Sequence, residues 1–282
     1  MNSDNPDSVA SGDTVSRRIA VGGRSLAITC SGSGSPTVIL ESGLGAESAW
    51  WEPVQDAVAR FTRVCRFDRA GKGQSDPAPT PRTSHDMAAD LHTLLANAAI
   101  PGPYVLVGHS VGGLNVRIYA SQYPAEVAGI VLVDSMHEDQ FATLGPMLPP
   151  PFPGEPPVLT GFRQFWATEW TDPAKNVEGI DFLASFVQGR AVTSLGNLPL
   201  IVLTAGYGEN SELGVAPAAF RQAWSSQWWA LQSRLAALST ASTHRLVPES
   251  GHFIQRDAPD AVIAAIRQMV EATDGDARTA PR

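Results

Sequence analysis

The chain alternates between short apolar runs rich in β-branched residues and longer stretches whose apolar positions recur at helical spacing. The runs are Arg17–Val21, Ser25–Cys30, Thr37–Glu41, Arg63–Phe67, Tyr104–Val107, Val127–Val133, Leu198–Thr204 and His244–Val247. Bounded by glycine, proline, serine and aspartate, they predict strands. The stretches Ala49–Phe61, Ser84–Ala99, Leu114–Gln122, Pro217–Leu238 and Pro259–Val270 predict helices. In the second of these, Ser84 is the expected cap, Met87, Leu91, Leu94 and Leu95 form the apolar stripe, and Pro101-Gly102-Pro103 is the stop. Gly22-Gly23 between the first two runs predicts a hairpin. Strands and helices alternating in this way predict an α/β fold, with parallel βαβ units and a sheet covered on both faces. Ligands in such sheets bind beyond the carboxyl ends of the strands, where Ser42–Leu44, Asp68, Ser110 and Asp134 are expected.

The alternation breaks between residues 136 and 197. Residues 145–157 contain seven prolines, and Phe162, Phe165, Trp166, Trp170, Phe182 and Phe186 follow among helix-like segments. A stretch of this length between two core strands is too long for a plain loop and reads as a cap over the strand ends. Most of its aromatics are expected to pack the cap onto the core, and one or two to face a ligand. The predicted organisation is a core of residues 17–135 and 198–272, a cap of residues 136–197, and loose tails at residues 1–16 and 273–282.

Composition narrows the setting. With 43% hydrophobic and 17% charged residues, a chain of 282 residues has enough apolar material for a sizeable core. A net charge of −8 without any basic run argues against nucleic acid or an anionic membrane as partner. The polar N-terminal segment lacks the apolar stretch of a signal peptide, and no run is long enough to span a bilayer. Cys30 and Cys65 are too few for a disulfide framework, so free thiols in a reducing cytoplasm are the expectation.

The chemistry gathers on Gly108-His109-Ser110-Val111-Gly112, which follows the strand Tyr104–Val107 and opens a helix. A strand–turn–helix carrying G-x-S-x-G lifts its serine above the sheet edge, which makes Ser110 a candidate nucleophile. A hydroxyl needs a base. Of the six histidines, His252 sits in a loop after the last strand, beside Gly251, where the chain order serine–acid–histidine puts the base. His109 cannot fold back onto Ser110, and His85 and His92 lie on a surface-like helix. His137 falls at the cap entrance and His244 opens a strand. The imidazole needs a carboxylate to hold its tautomer. Asp134, directly at the end of a strand, is preferred because it is held rigidly; Glu209, in the loop after the next strand, stays open as the alternative. The backbone N–H groups of Val111 and Leu44 are the candidate oxyanion donors. For Trp50, just downstream of Leu44, packing is the simpler reading, though it is also a candidate for the pocket wall together with Phe165 and Trp166 of the cap. No metal-ligand spacing, phosphate loop or dinucleotide fingerprint occurs, so no cofactor is called for.

Four segments carry a family resemblance spanning roughly Arg17 to Val270. They are Glu41-Ser42-Gly43-Leu44-Gly45, Asp68-Arg69-Ala70-Gly71-Lys72-Gly73-Gln74-Ser75, Gly108–Gly113 and Ser250-Gly251-His252-Phe253. Together the chain resembles the α/β-hydrolase superfamily, which implies an eight-stranded sheet, an inserted helical cap and a serine-based esterase mechanism. Departures are visible. Many members have His-Gly where this chain has Ser42-Gly43, and a serine nucleophile sets it apart from haloalkane dehalogenases and epoxide hydrolases. Asp134 matches the family's minority arrangement of the acid, whereas Glu209 falls three residues after Gly206, near the commoner one.

The expected activity is hydrolysis of a carboxylic ester or lactone of a small hydrophobic molecule, by a monomer or homodimer, through an acyl-enzyme on Ser110. Amide or aminopeptidase cleavage and cofactor-free perhydrolase chemistry are alternatives on the same scaffold. A ligand receptor that has lost turnover is the non-enzymatic reading. It would leave Ser110 unreactive.

Overall fold

A computed structural model describes residues 14–279 except 156, 210, 212 and 215, so most of the expected N-terminal tail and the last three residues lie outside it. Eight strands form one sheet: β1 Val15–Val21, β2 Arg24–Ser31, β3 Thr37–Glu41, β4 Val64–Phe67, β5 Tyr104–His109, β6 Val127–Val133, β7 Leu200–Ala205 and β8 Ser242–Val247. Their order is β1-β2-β4-β3-β5-β6-β7-β8. β1 and β2 form the expected hairpin, and β2 also runs antiparallel to β4. All other neighbours are parallel.

Alternation along the central strands explains why both faces must be covered. Ile39, Leu106, Ile130 and Leu132 point to one face, where they meet Leu91, Leu94, Leu114 and Ile118. Those partners come from α2 (Ser84–Asn97) and α3 (Val111–Gln122). Val38, Leu40, Val105, Val107, Val131 and Val133 point the other way. They are covered by α1 (Glu52–Val58) and by two helices from the end of the chain. A strand buried on both sides reads as a continuous apolar run, as these do.

Between β6 and β7 the chain leaves the sheet through α4 (Gln140–Leu144), α5 (Pro157–Gln164), a π-helical turn over Phe165–Glu169 and α6 (Phe182–Ala191). β7 follows, α7 (Ala218–Ala236) then connects β7 to β8, and the short α8 (Ile254–Asp257) and α9 (Pro259–Thr279) come after β8. In the insertion, Phe141 stacks on Trp170 with ring centroids 4.6 Å apart, and Phe182 and Phe186 close the same cluster. These rings fasten the insertion to the face covered by α2 and α3.

Several boundaries differ from expectation. β1 begins at Val15 because Val15 and Ser16 pair with Cys30 and Thr29, and an edge strand tolerates polar, exposed residues. α9 runs to Thr279, well past Val270, since no proline interrupts it before Pro281. The predicted helix Ala49–Phe61 is a 3₁₀ turn, Ser48–Trp51, followed by α1. Thr83, not Ser84, caps α2: its hydroxyl accepts from the Asp86 N–H while the Asp86 carboxylate accepts from the Thr83 N–H.

The expectation of free thiols is overturned. Cys30 and Cys65 form a disulfide across β2 and β4, where the register places them opposite each other. The strand order brings them together, and with it the argument for a reducing compartment falls. Among the described residues no helix is long and apolar enough to cross a membrane.

Candidate active site

Ser110 joins β5 to α3 with φ 54° and ψ −123°, a conformation costly for a residue with a Cβ. The turn is possible because its neighbours are glycines. A Cβ on Gly108 would lie 2.5 Å from the Gly112 carbonyl oxygen, and one on Gly112 would lie 2.6 Å from the Glu41 carbonyl oxygen. The Ser110 backbone is pinned on both sides: its N–H donates to Val133 O, and its carbonyl accepts from the N–H groups of Gly113 and Met136. Of the four described non-glycine residues with positive φ, Ser110, Asp134 and Tyr207 lie at this end of the sheet and Ala99 lies elsewhere, so local strain gathers here.

Asp134 follows β6 and is fully buried. Four donors converge on its carboxylate. Oδ1 accepts from the Ala205 N–H at 2.9 Å and from Trp228 Nε1 at 2.6 Å. Oδ2 accepts from the Tyr207 hydroxyl at 2.9 Å and from His252 Nδ1 at 2.7 Å. With Nδ1–H committed to a carboxylate, the neutral imidazole keeps the lone pair on Nε2. Glu209 is placed elsewhere. Its side chain is 88% exposed and lies 3.5 Å from Arg221, so it is not brought to His252.

Ser110 and His252 line one cavity of ≈ 230 Å³, bounded on the core side by Gly43, Leu44, His109 and Phe253. The insertion supplies Gln140, Leu144, Phe162, Phe165 and Trp166, and Tyr207, Trp224 and Trp228 complete the wall. Phe165 and Trp166 are therefore where the sequence reading put them. Trp50 is not. It is 42% exposed and packs on Phe253 at 5.3 Å, beneath the Arg256 guanidinium at 5.6 Å, and it does not line the cavity.

Leu44 lines the cavity, and Val111 is the first residue of α3, where a helix leaves its N–H groups unused. No described group accepts from either amide. The turn carrying Leu44 rests on Arg69, which donates from Nη1 to Ser42 O at 2.5 Å and from Nη2 to Gly43 O at 2.7 Å. Arg69 also pairs with Glu178 of the insertion, and its Nη1 lies 3.7 Å from Glu41. Burial pushes the Glu41 pKa up to about 7, because desolvation outweighs the attraction of Arg69 and the hydrogen bond from Asn115. At Glu178 burial acts in the same direction, but the charge and hydrogen bonds of Arg69 overcome it and hold the pKa below the usual carboxylate range.

His109 does not reach back to Ser110. Its Nε2–H donates to the His252 carbonyl at 2.8 Å, and its ring lies 4.6 Å from that of His252. Burial, reinforced by the neighbouring His252, holds its pKa well below the ordinary histidine value. His109 thus packs as a neutral ring behind His252. Among the described residues no group of three or more His, Cys, Asp or Glu is placed to hold a metal ion.

Tyr207 and Trp228 were missed as partners of Asp134. The one sequence signal was the bulky tyrosine between Gly206 and Gly208, which requires a turn with little side-chain crowding; for Trp228, on an amphipathic helix, there was none.

Comparison with known proteins agrees with this architecture. A family model described as the alpha/beta hydrolase fold matches residues 36–234. The uncharacterised protein YqjL of Bacillus subtilis is 28% identical over 237 residues, covering 83% of each chain. A 2-(acetamidomethylene)succinate hydrolase of Mesorhizobium japonicum is 35% identical over 127 residues, which is 45% of each chain. Among solved structures, a thermophilic esterase from Thermogutta terrifontis superposes with a TM-score of 0.60 at 21% identity, covering 92% of this chain and 99% of that one. That likeness is one of fold. The sheet order, the strained serine turn and the family match lead to one conclusion: this chain belongs to the α/β-hydrolase family.

Proposed function

We propose that this hydrolase cleaves carboxylic esters or lactones of small hydrophobic molecules, with Ser110, His252 and Asp134 as its catalytic triad. The observation that carries the reading is the bond from His252 Nδ1 to the buried Asp134 carboxylate, in a cavity that His252 shares with Ser110. In this mechanism His252 Nε2 takes the Ser110 proton as Oγ attacks the substrate carbonyl. The Leu44 and Val111 N–H groups accept the charge that develops on the carbonyl oxygen. Collapse of the tetrahedral intermediate expels the alcohol, which leaves with the proton from His252. A water deprotonated by His252 then attacks the acyl-enzyme and releases the acid and free Ser110.

The cavity favours this substrate class. A dry apolar cavity of about 150 Å³ holds benzene, and ≈ 230 Å³ walled by Phe162, Phe165, Trp166 and Trp224 suits an aryl or short-chain acyl group. Among the described residues no acidic, lysine or arginine side chain stands in that wall to hold a substrate ammonium or carboxylate.

The test is a panel of aryl esters, medium-chain esters, lactones and aryl amides, run on wild type and Ser110→Ala. Turnover of uncharged esters or lactones by wild type alone, with fluorophosphonate labelling at Ser110, is the expected result. Preferential cleavage of amides or of charged esters would refute the assignment. So would wild-type activity in Ser110→Ala.

A further inference from the structure

The turn Ser42–Gly45 belongs to no helix or strand and closes internally through a bond from the Ala46 N–H to Gly43 O at 3.3 Å, while three successive peptide units in it are also held from outside. Arg69 Nη1 donates to Ser42 O at 2.5 Å, and Nη2 donates to Gly43 O at 2.7 Å. Glu178 Oε1 accepts from the Gly45 N–H at 2.6 Å. The two side chains hold each other through a pair of hydrogen bonds, Arg69 Nε donating to Glu178 Oε2 at 2.9 Å and Nη2 to Oε1 at 2.7 Å. All of this is buried: Arg69 and Glu178 expose 5% and 2% of their side chains.

Peptide geometry gives the clamp a direction. The Gly43 carbonyl and the Leu44 N–H belong to one trans peptide plane and point to opposite sides of it. Drawing Gly43 O onto the guanidinium therefore turns the Leu44 N–H away from Arg69. Gly43 and Leu44 both line the cavity that holds Ser110. We propose that Arg69 is the positioning residue that sets the Leu44 oxyanion donor, and that Glu178 latches the insertion onto that turn. The inference rests on the serine-hydrolase reading above, because it concerns the same donor.

Glu178 is itself presented by an anchored segment. Asn176 Oδ1 accepts from the Glu178 and Ile180 N–H groups, at 3.3 and 2.9 Å. Gly179 O and the Asp181 N–H bond the backbone of Arg82 in the core, at 2.9 and 2.7 Å. The donor geometry therefore depends on a piece of the insertion, not only on the core. An insertion that shifts or is cut withdraws Glu178 and so releases the turn at Gly45.

The experiment measures kcat, KM and the affinity of an aryl trifluoromethyl ketone for wild type, Arg69→Met, Arg69→Lys and Glu178→Gln, with Tm alongside. Losing a preorganised oxyanion donor costs about 10²–10³-fold in kcat, so Arg69→Met should fall by about 10²-fold with KM within about threefold. Ketone affinity should drop in parallel, since that adduct carries the oxyanion. Arg69→Lys should recover part of the loss, because an ammonium reaches one carbonyl but lacks the fork. Glu178→Gln should lose about tenfold while staying folded. Folded variants with wild-type kcat and ketone affinity would overturn the proposal while leaving the triad standing. If Arg69→Met does not fold, Glu178→Gln decides: unchanged kcat there overturns it too. A wild type that neither hydrolyses esters nor takes a fluorophosphonate at Ser110 removes the parent reading and this one together.

Discussion

His252 Nδ1 lies 2.7 Å from Asp134 Oδ2, across 118 residues of sequence, and the same carboxylate also accepts from Tyr207, Trp228 and the Ala205 backbone. The carboxylate thus orients the imidazole and is itself oriented, which is what the base proposed above would require. Asp134→Asn keeps the shape but can present an amide N–H to Nδ1 and favour the wrong tautomer. Its kcat should fall about 10³–10⁴-fold. Glu209→Gln, at an exposed position beside Arg221, should stay within about twofold of wild type. Steady-state kinetics on an aryl ester distinguishes the two carboxylates, and the reverse pattern would transfer the acid's role to Glu209.

Tyr207 offers a graded version of the same test. Tyr207→Phe removes one of four donors from a carboxylate that keeps the other three. A loss of about tenfold in kcat is expected, since a hydrogen bond to a charged group is worth about 1.5–3 kcal/mol and the remaining donors take up part of it. Equal activity in the two proteins would mean that the Trp228, Ala205 and His252 donors suffice.

What the sequence revealed of this site follows how local each signal is. Ser110 was legible because β5, the glycines and α3 adjoin it in the chain. Asp134 was legible because it directly follows a core strand and His252 because it lies in the loop after the last one, and parallel strands deliver their carboxyl ends to one edge of the sheet. Tyr207 and Trp228 reach Asp134 from 73 and 94 residues away, and no short-range pattern encodes such a contact. The two readings of Trp50 could not be separated for a related reason: nearness to the Leu44 turn in sequence does not fix the side of Phe253 on which its ring packs. The cysteines required the full strand order. Only with β4 inserted between β2 and β3 do Cys30 and Cys65 become cross-strand neighbours.

The placement of Trp50 outside the cavity gives a contrast between two tryptophans. Trp166 lines the cavity and packs against Trp224 at 5.5 Å, so Trp166→Ala should enlarge the cavity. The variant should gain relative kcat/KM on longer or bulkier esters and lose it on the shortest. Trp50→Ala should leave the chain-length profile as it was. A profile that shifts equally in both variants would contradict the placement of Trp50 outside the cavity.

The Cys30–Cys65 disulfide closes a loop with a sequence separation of 35, for which chain-entropy arguments give about 3–4 kcal/mol of stabilisation. The double variant Cys30→Ser/Cys65→Ser should unfold at a lower denaturant concentration, and wild type treated with dithiothreitol should move toward it. Neither cysteine lines the cavity, so kcat at 25 °C should be unaffected. Coincident denaturation curves for oxidised and reduced wild type would show that the bond adds nothing to stability.

Desolvated titratable groups should shape both limbs of the stability profile. Desolvation lowers the His137 and His244 pKa values to about 4, from an ordinary value near 6.5. For these histidines the unfolded chain binds the proton more tightly, so their contribution is complete above the ordinary value and is lost as pH falls from there toward 4. Glu41 has the opposite sign. Its folded pKa of about 7 exceeds the ordinary 4.5, so the folded state binds the proton more tightly and stability declines as pH rises through that window. Glu41→Gln keeps an acceptor for Asn115 but cannot ionise, and its stability should therefore decline less than that of wild type between pH 5 and about pH 8. His244→Gln should flatten the acid limb and leave the alkaline one alone. Chemical denaturation at intervals across this range measures both slopes. Parallel curves for Glu41→Gln and wild type would mean that Glu41 enters the fold already ionised, with Arg69 meeting its desolvation in full.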